Sequence, residues 1–249
     1  MIYTENFKIQ LKDVEKGGYI KNRGILEMFE NVATHHSDSV NFGINDVNAT
    51  GFSWILMDWK IKVINRPKYG EIFKINTWAR TINGTLKKTY TYRDFEMYDQ
   101  NGDLCVIGTS KWVLMNNTTG RIAPITEEVF SRYEAENKGV FEEPELDKIL
   151  IPENFTNEII YQVSRRDIDL VGHMHNLYYL DLAYNALPEN IYESRPFGEF
   201  RISYKKEIKL GEVVKCKYSL VEGKHYVKIC SEDESRVNCI VELSVNSCQ

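Results

Sequence analysis

IKVINRPKYGEIFKINTWA, residues 61–79, and ISYKKEIKLGEVVKCKYSL, residues 202–220, follow one pattern. In each, an apolar-polar alternation leads through a polar bend to Gly-Glu, and a second alternation follows. Ile55, Met57, Trp59, Ile61 and Val63 alternate with Asp58, Lys60 and Lys62; after Gly70-Glu71 come Phe73, Ile75, Thr77 and Ala79. In the later copy Ile202 and Tyr204 precede Gly211-Glu212, then Val214, Cys216, Tyr218 and Leu220 alternate. A period of two is the signature of a half-buried strand. Gly70 and Gly211 stand 141 residues apart, as do Ile61 and Ile202, and a constant offset through matched elements argues for a duplicated unit.

The copies extend outward. GILEMFENVATHH, residues 24–36, repeats apolar residues at helical spacing, and NLYYLDLAYNAL, residues 176–187, carries Leu177, Leu180, Tyr184 and Leu187 on one stripe. Downstream, Tyr90–Tyr98 and Leu104–Met115 flank a turn containing Asn101-Gly102, a hairpin signal. His225–Cys230 and Val237–Val245 flank Ser231–Glu234 in the second copy. The expectation is an α+β chain of two units, each a long helix wrapped by an antiparallel sheet, so that both apolar faces share one core.

The chain has 249 residues, 43% of them hydrophobic, and a net charge of -5. Such a composition excludes disorder, and the acidic balance argues against nucleic-acid binding. No apolar run approaches ~18 residues, so no membrane span is expected. The N-terminus lacks a basic start with an apolar stretch, so no signal peptide is read and a cytoplasmic location is expected. Cys105, Cys216, Cys230, Cys239 and Cys248 are odd in number and form no CxxC, which disfavours a disulfide framework or structural zinc. Residues 126–156 hold nine acids against three bases, with Gly139, Pro144 and Pro152. They are expected to form an acidic connector, with one helix near 127–137, between domains 1–125 and 157–249.

The stretch richest in chemistry is SRRDIDLVGHMHNLYYLDL, residues 164–182. Asp167, Asp169, His173 and His175 crowd before the second helix, with Asn176 as the expected N-cap. A helix start presents unpaired N–H groups, which can hold a carbonyl oxygen as it turns negative, and a nearby imidazole can transfer a proton. Spacing alone leaves open that the acids are caps and the histidines surface residues. The first copy has Gly17–Arg23 before its helix, without Asp or His, so one active site per chain is expected. His35 and His36 sit at that helix's C-terminal end, where a cation suits the dipole, and are read as structural or surface.

The pattern D-x-D-x-x-G-H-x-x-N-x-x-Y, read as Asp167, Asp169, Gly172, His173, Asn176 and Tyr179, resembles the active-site loop of hot-dog thioesterases. With Gly51–Trp54, Pro67–Glu71, Gly108–Asn116 and Ser203–Glu207 in the same order, the whole chain resembles the acyl-ACP thioesterases of bacteria and plants. The resemblance implies two tandem hot-dog domains, with catalysis in the C-terminal one. It implies Asp169, His173 and Glu207 as catalytic residues, Glu207 being expected on a strand. Val171 stands where the family has Asn and cannot hydrogen-bond through its side chain; His175 replaces another Asn often found in the pattern. Gly172, His175 and Asn176 are expected to support the loop and an oxyanion site through backbone N–H groups.

The implied activity is hydrolysis of fatty acyl-ACP, releasing free fatty acid and ending chain elongation. No G-x-S-x-G occurs and Cys216 and Cys239 fall on apolar strand faces, so attack by water is expected, with Glu207 as base and no cofactor or metal. An attacking carboxylate giving an anhydride stays open. The acyl slot implied in the N-terminal domain has candidates Ile25, Met28, Phe29, Val32, Trp54, Leu56 and Met57. Residues 201–217 carry a net +4, and Arg165, Arg166, Arg201, Lys205, Lys206 and Lys209 are candidates for docking the acidic carrier protein. The expected oligomeric state is monomer or homodimer. Rival readings are an acyl-CoA thioesterase, a hot-dog hydratase or dehydratase, and an acyl-binding module without turnover.

Overall fold

A computed structural model describes residues 1–245. Cys248 lies outside the described residues. The chain divides into two compact units, the first ending at Leu146 and the second beginning at Asp147.

The N-terminal unit runs β1 (Tyr3–Lys8), α1 (Asn22–Ser39), α2 (Val47–Thr50), β2 (Phe52–Val63), β3 (Ile72–Arg80), β4 (Thr91–Tyr98), β5 (Leu104–Asn116), β6 (Arg121–Ala123) and α3 (Glu127–Arg132). All pairings are antiparallel, in the order β1-β3-β4-β5-β2, with β6 added to β5. Helix α1 buries Ile25, Leu26, Phe29, Val32 and Ala33, the stripe expected from the sequence. Phe29 stacks on Phe95 at 4.7 Å between ring centroids. Gly108 on β5 permits this approach, because a Cβ there would meet the Phe29 ring at 2.7 Å. Each such buried aromatic contributes on the order of 3 kcal/mol or more.

Two expectations in this unit are corrected. The alternation along β2 breaks at a β-bulge between Leu56 and Asp58, where Met57 is the extra residue. Leu56 therefore faces the core and Ile55 is exposed, while Trp59, Ile61 and Val63 keep the inward phase. What is corrected is the cation expected at the helix end; His36 is structural, one of its two readings. It is fully buried, stacks on Tyr3, and accepts a hydrogen bond from Arg93 Nη1 at 2.7 Å. Burial and the neighbouring guanidinium push its pKa down to about 3, so the charge beside the helix C-terminus belongs to Arg93. His35 is exposed and pairs with Glu5 at 2.7 Å.

Much of the expected connector packs onto this unit as far as Leu146. Its helix is α3, shorter than expected, capped by the Thr126 hydroxyl. Tyr133 is buried, accepts from Trp54 Nε1 at 2.8 Å and donates to Ser37 Oγ at 3.2 Å. Glu136 extends the β3 edge through Thr81 N to Glu136 O at 3.0 Å and Glu136 N to Ala79 O at 2.9 Å. Trp78 Nε1 donates to Lys138 O, and Arg80, ion-paired with buried Asp94 at 2.8 Å, donates to Pro144 O. The acidic side chains face solvent or cations while the backbone pairs the end of β3 that lies beyond its last β1 partner, Thr77.

The C-terminal unit repeats the plan: β7 (Asn157–Gln162), α4 (Asn176–Asn185), α5 (Glu189–Glu193), β8 (Glu199–Tyr204), β9 (Val213–Val221), β10 (Lys224–Ser231) and β11 (Val237–Ser244). The strand order is β7-β9-β10-β11-β8, strand for strand that of the first unit. Strands β1 and β7 stand 154 residues apart, β3 and β9 141, β4 and β10 133. The offset shrinks because α4 and the hairpin loop of this unit are shorter. Helix α4 buries Leu177, Tyr179, Leu180, Leu182 and Ala183, with Tyr184 only half-buried, so its buried face is broader than the expected stripe.

Candidate active-site loop

The loop between β7 and α4 is built around Asp167, whose side chain is fully buried. Its Oδ2 accepts from Ser164 N at 2.7 Å, Ser164 Oγ at 2.8 Å and Tyr161 OH at 2.7 Å. Its carbonyl accepts from His175 N at 2.8 Å, so one residue pins both ends of the loop. Burial pushes the Asp167 carboxyl up, but the three donors and Arg166 outweigh it and hold the pKa below the usual range. The Ser164-x-x-Asp167 spacing was the sequence signal for this anchor.

Asp169 folds the tip. Its Oδ1 accepts from Val171 N at 2.9 Å and His173 N at 3.0 Å, while its own N–H donates to His173 O at 2.8 Å. Gly172 adopts φ 87°, the left-handed conformation this reversal requires. Asp169 thus holds the backbone of His173. Val171 is exposed. The helix cap falls on His175, whose Nδ1 accepts from Leu177 N at 3.3 Å, and not on Asn176 as expected. That bond leaves the ring proton of a neutral His175 on Nε2.

The amides of Gly172, His173, Met174 and His175 already donate to Asp169 O, Asp169 Oδ1, Ile208 O and Asp167 O. The expected oxyanion role of the Gly172 and His175 N–H groups is therefore revised: those amides shape the loop.

Glu207 lies in the connection after β8, exposed, and not on a strand. The physical reason is that β8 ends at Tyr204, where the backbone leaves the sheet to pair with the loop. Met174 N donates to Ile208 O at 2.8 Å, and His173 bridges Lys209. The residue next to Glu207 is thus hydrogen-bonded to the residue next to His173. Tyr179 is buried under this junction, edge-on to Tyr204 at 5.3 Å. Its hydroxyl pKa is raised, first by burial and also by the Glu207 and Asp169 carboxylates, while a hydrogen bond with the Ile208 backbone opposes the shift. Sequence reasoning placed Tyr179 in the motif without a role, and did not single out Tyr161.

The first unit supplies an internal control. Gln10 N to Asp13 Oδ2, Lys21 N to Asp13 O, Glu15 N to Tyr19 O and Ile20 N to Pro67 O reproduce the loop's bonds at 2.9, 2.9, 3.0 and 2.9 Å. The scaffold is duplicated, but Tyr19 stands at the place of His173, Glu15 at that of Asp169, Lys21 at that of His175 and Arg66 at that of Glu207. Arg66 Nη1 donates to Ile20 O and Asn22 Oδ1. The imidazole and acid are peculiar to the second copy.

Of the expected docking cations, Arg165, Arg166, Lys205, Lys206 and Lys209 are exposed. Arg201 is half-buried and bound to Asp147 O. Lys215 and Lys217 in the same run pair with Glu234. Ile25, Phe29 and Val32 are fully buried, Met28 and Leu56 nearly so, Trp54 and Met57 half-buried. Trp54 joins Phe42, Ala79, Leu114, Ala123, Ile125, Val129 and Tyr133, a packing group separate from the Phe29–Phe95 stack. Burial pushes the thiols of Cys105 and Cys216 up to about 11 and 12, unsuited to nucleophilic thiolates. No helix among the described residues is long and apolar enough to cross a membrane.

Comparison with known proteins gives a consistent family. The model of the acyl-ACP thioesterase N-terminal domain matches residues 1–133, and that of the C-terminal domain residues 152–246. The oleoyl-acyl carrier protein thioesterase 1 of Arabidopsis thaliana is 22% identical over 232 residues, covering 85% of this chain. The dodecanoyl-[acyl-carrier-protein] hydrolase of Cinnamomum camphora is 22% identical over 226 residues, covering 86%. The chain spans 62% and 58% of the lengths of these two relatives. A crystal structure of an acyl-ACP thioesterase from Bacteroides thetaiotaomicron matches with a TM-score of 0.84 at 21% identity, over 98% of this chain and 97% of that one. The 12:0-ACP thioesterase of Umbellularia californica matches with a TM-score of 0.84 at 19% identity, over 98% and 96%. The architecture is therefore the tandem hot-dog fold.

Proposed function

The chain belongs to the acyl-ACP thioesterase family, and on that premise we propose that it hydrolyses the thioester of fatty acyl-acyl carrier protein, releasing free fatty acid and the carrier's thiol. The observation that carries the mechanism is the Met174–Ile208 hydrogen bond, which joins the backbone beside His173 to the backbone beside Glu207. Water attacks the thioester carbonyl; Glu207 takes its proton as the C–O bond forms. His173 steadies the oxyanion as donor. The C–S bond then breaks, and the proton held by Glu207 passes to the leaving thiolate. Asp169 acts on His173 through the backbone turn it holds. The apolar residues of the N-terminal unit, Met28 and Met57 among them, are the proposed determinants of chain length.

Thiol release measured over acyl-ACPs of graded chain length, beside matched acyl-CoAs, tests this reading. Turnover with higher kcat/KM on the carrier-bound series is expected. Binding without thiol release would make the chain an acyl-binding protein, and higher kcat/KM on acyl-CoA would make the carrier assignment wrong.

The exposed cations beside the loop suit an acidic carrier. Lys205→Glu combined with Lys209→Glu is expected to raise KM for acyl-ACP about tenfold and leave KM for a small acyl thioester unchanged. Steady-state kinetics on both substrates checks this; an unchanged carrier KM removes the patch.

A further inference from the structure

Asn238 on β11 is fully buried. Its backbone carbonyl accepts from Lys205 N at 2.8 Å and Lys206 N at 3.2 Å. Its side-chain Nδ2 donates to Lys206 O and Glu207 O, both at 3.2 Å. One residue thus grips the three-residue segment that ends in Glu207 with four hydrogen bonds. Its Oδ1 is buried and finds no hydrogen-bond partner within the protein.

The duplicated unit separates what the fold needs from what this site adds. The equivalent of Asn238 is Cys105, 133 residues earlier on β5. The Cys105 carbonyl accepts from Ile64 N at 2.8 Å and Asn65 N at 3.0 Å, the same backbone grip. Its thiol turns to Asp103 O at 3.4 Å. The bend is therefore formed without a side-chain amide where the following residue is Arg66. The amide is present where the following residue is Glu207. The two side-chain bonds fix the peptide planes on both sides of the Glu207 Cα, and with them the direction in which an otherwise exposed carboxylate leaves the backbone.

We propose that Asn238 is a positioning residue for Glu207, its amide holding the Lys206 and Glu207 carbonyls so that the carboxylate stays aimed at the attacking water; this rests on the assignment of Glu207 as general base. Asn238 also supplies a side-chain amide near the acid in a chain whose loop has Val171, although it acts through the backbone and not on substrate.

The test is a kinetic cycle with Asn238→Cys, the residue the sister unit uses at this place. N238C is expected to melt close to wild type and to bind substrate with unchanged KM. Its kcat should fall about tenfold, since a displaced base loses rate without losing affinity. In a Glu207→Gln background N238C should cause no further loss. Asn238→Ser, read in the same way, covers the case in which the thiol disturbs packing. Wild-type kcat in both Asn238 variants, with Glu207→Gln impaired, overturns the positioning role and leaves the base assignment standing. Losses that multiply in the double variants also overturn it. Full activity in Glu207→Gln alone overturns the base assignment instead, and the positioning role with it.

Discussion

Glu207→Gln should lower kcat on acyl-ACP by about 100-fold or more, because the amide keeps the shape of the side chain and loses its ability to take a proton from water. Glu207 is exposed and outside any strand, so the substitution removes no packing and its effect on melting temperature should be slight. His173→Ala should cost a similar factor, since the ring is the donor proposed for the oxyanion, and its backbone would remain held by Asp169. The two variants together discriminate between readings. If both turn over near wild-type rate while folded, the pair does no chemistry and the active site lies elsewhere. If Glu207→Gln is inactive yet accumulates acyl-enzyme when given substrate, the nucleophile is another group. Single-turnover kinetics with mass spectrometry of the quenched enzyme reads both outcomes.

Asp167→Ala should be the most damaging change to the loop itself. Three donors, Ser164 N, Ser164 Oγ and Tyr161 OH, converge on one buried carboxylate oxygen, and alanine would strand all of them. The expected loss is about 3 kcal/mol in the stability of the C-terminal unit, with kcat falling as the 164–175 turn loosens. The pH dependence carries a sign. The Asp167 pKa is lower folded than unfolded, so its contribution is present above the unfolded value of about 4 and is lost as pH falls through the folded value. Urea unfolding should therefore show the wild-type advantage over Asp167→Ala shrinking on acidification below about pH 4. An advantage constant across that range would mean the carboxylate's charge does not hold the loop. Asp167→Asn should lie between the two, since it keeps an acceptor oxygen without the charge.

The repeated Gly-Glu bends and the alternating runs about them contain the duplication, because strand periodicity and turn chemistry are local and each copy carries them independently. The loop motif likewise carries its own anchor: Ser164-x-x-Asp167 and Asp169–Gly172–His173 are spaced to close small rings through neighbouring backbone, and the structure closes them. What was misread depends on partners distant in the chain. Met57 becomes a bulge only because β5 opposes Leu56 and Asp58 with adjacent residues, Trp112 and Lys111. His36 is neutral because folding buries it beside Arg93, 57 residues away. The 126–146 stretch reads as a solvated linker by charge, yet its backbone pairs the end of β3 that β1 leaves uncovered while its acids stay outside.

The same division runs through the candidate site. Residue order alone established that the stretch before the first helix, Gly17–Arg23, holds no Asp or His, whereas the stretch before the second holds Asp169 and His173, since those identities need no coordinates to compare. Tertiary packing alone decided that Glu207 leaves the sheet, that His175 caps the helix, that the loop amides are consumed in shaping the turn, and that Asn238 grips the segment bearing the acid. Side-chain identity is written one residue at a time, whereas a buried hydrogen bond exists only where two distant backbones are forced together and water is excluded.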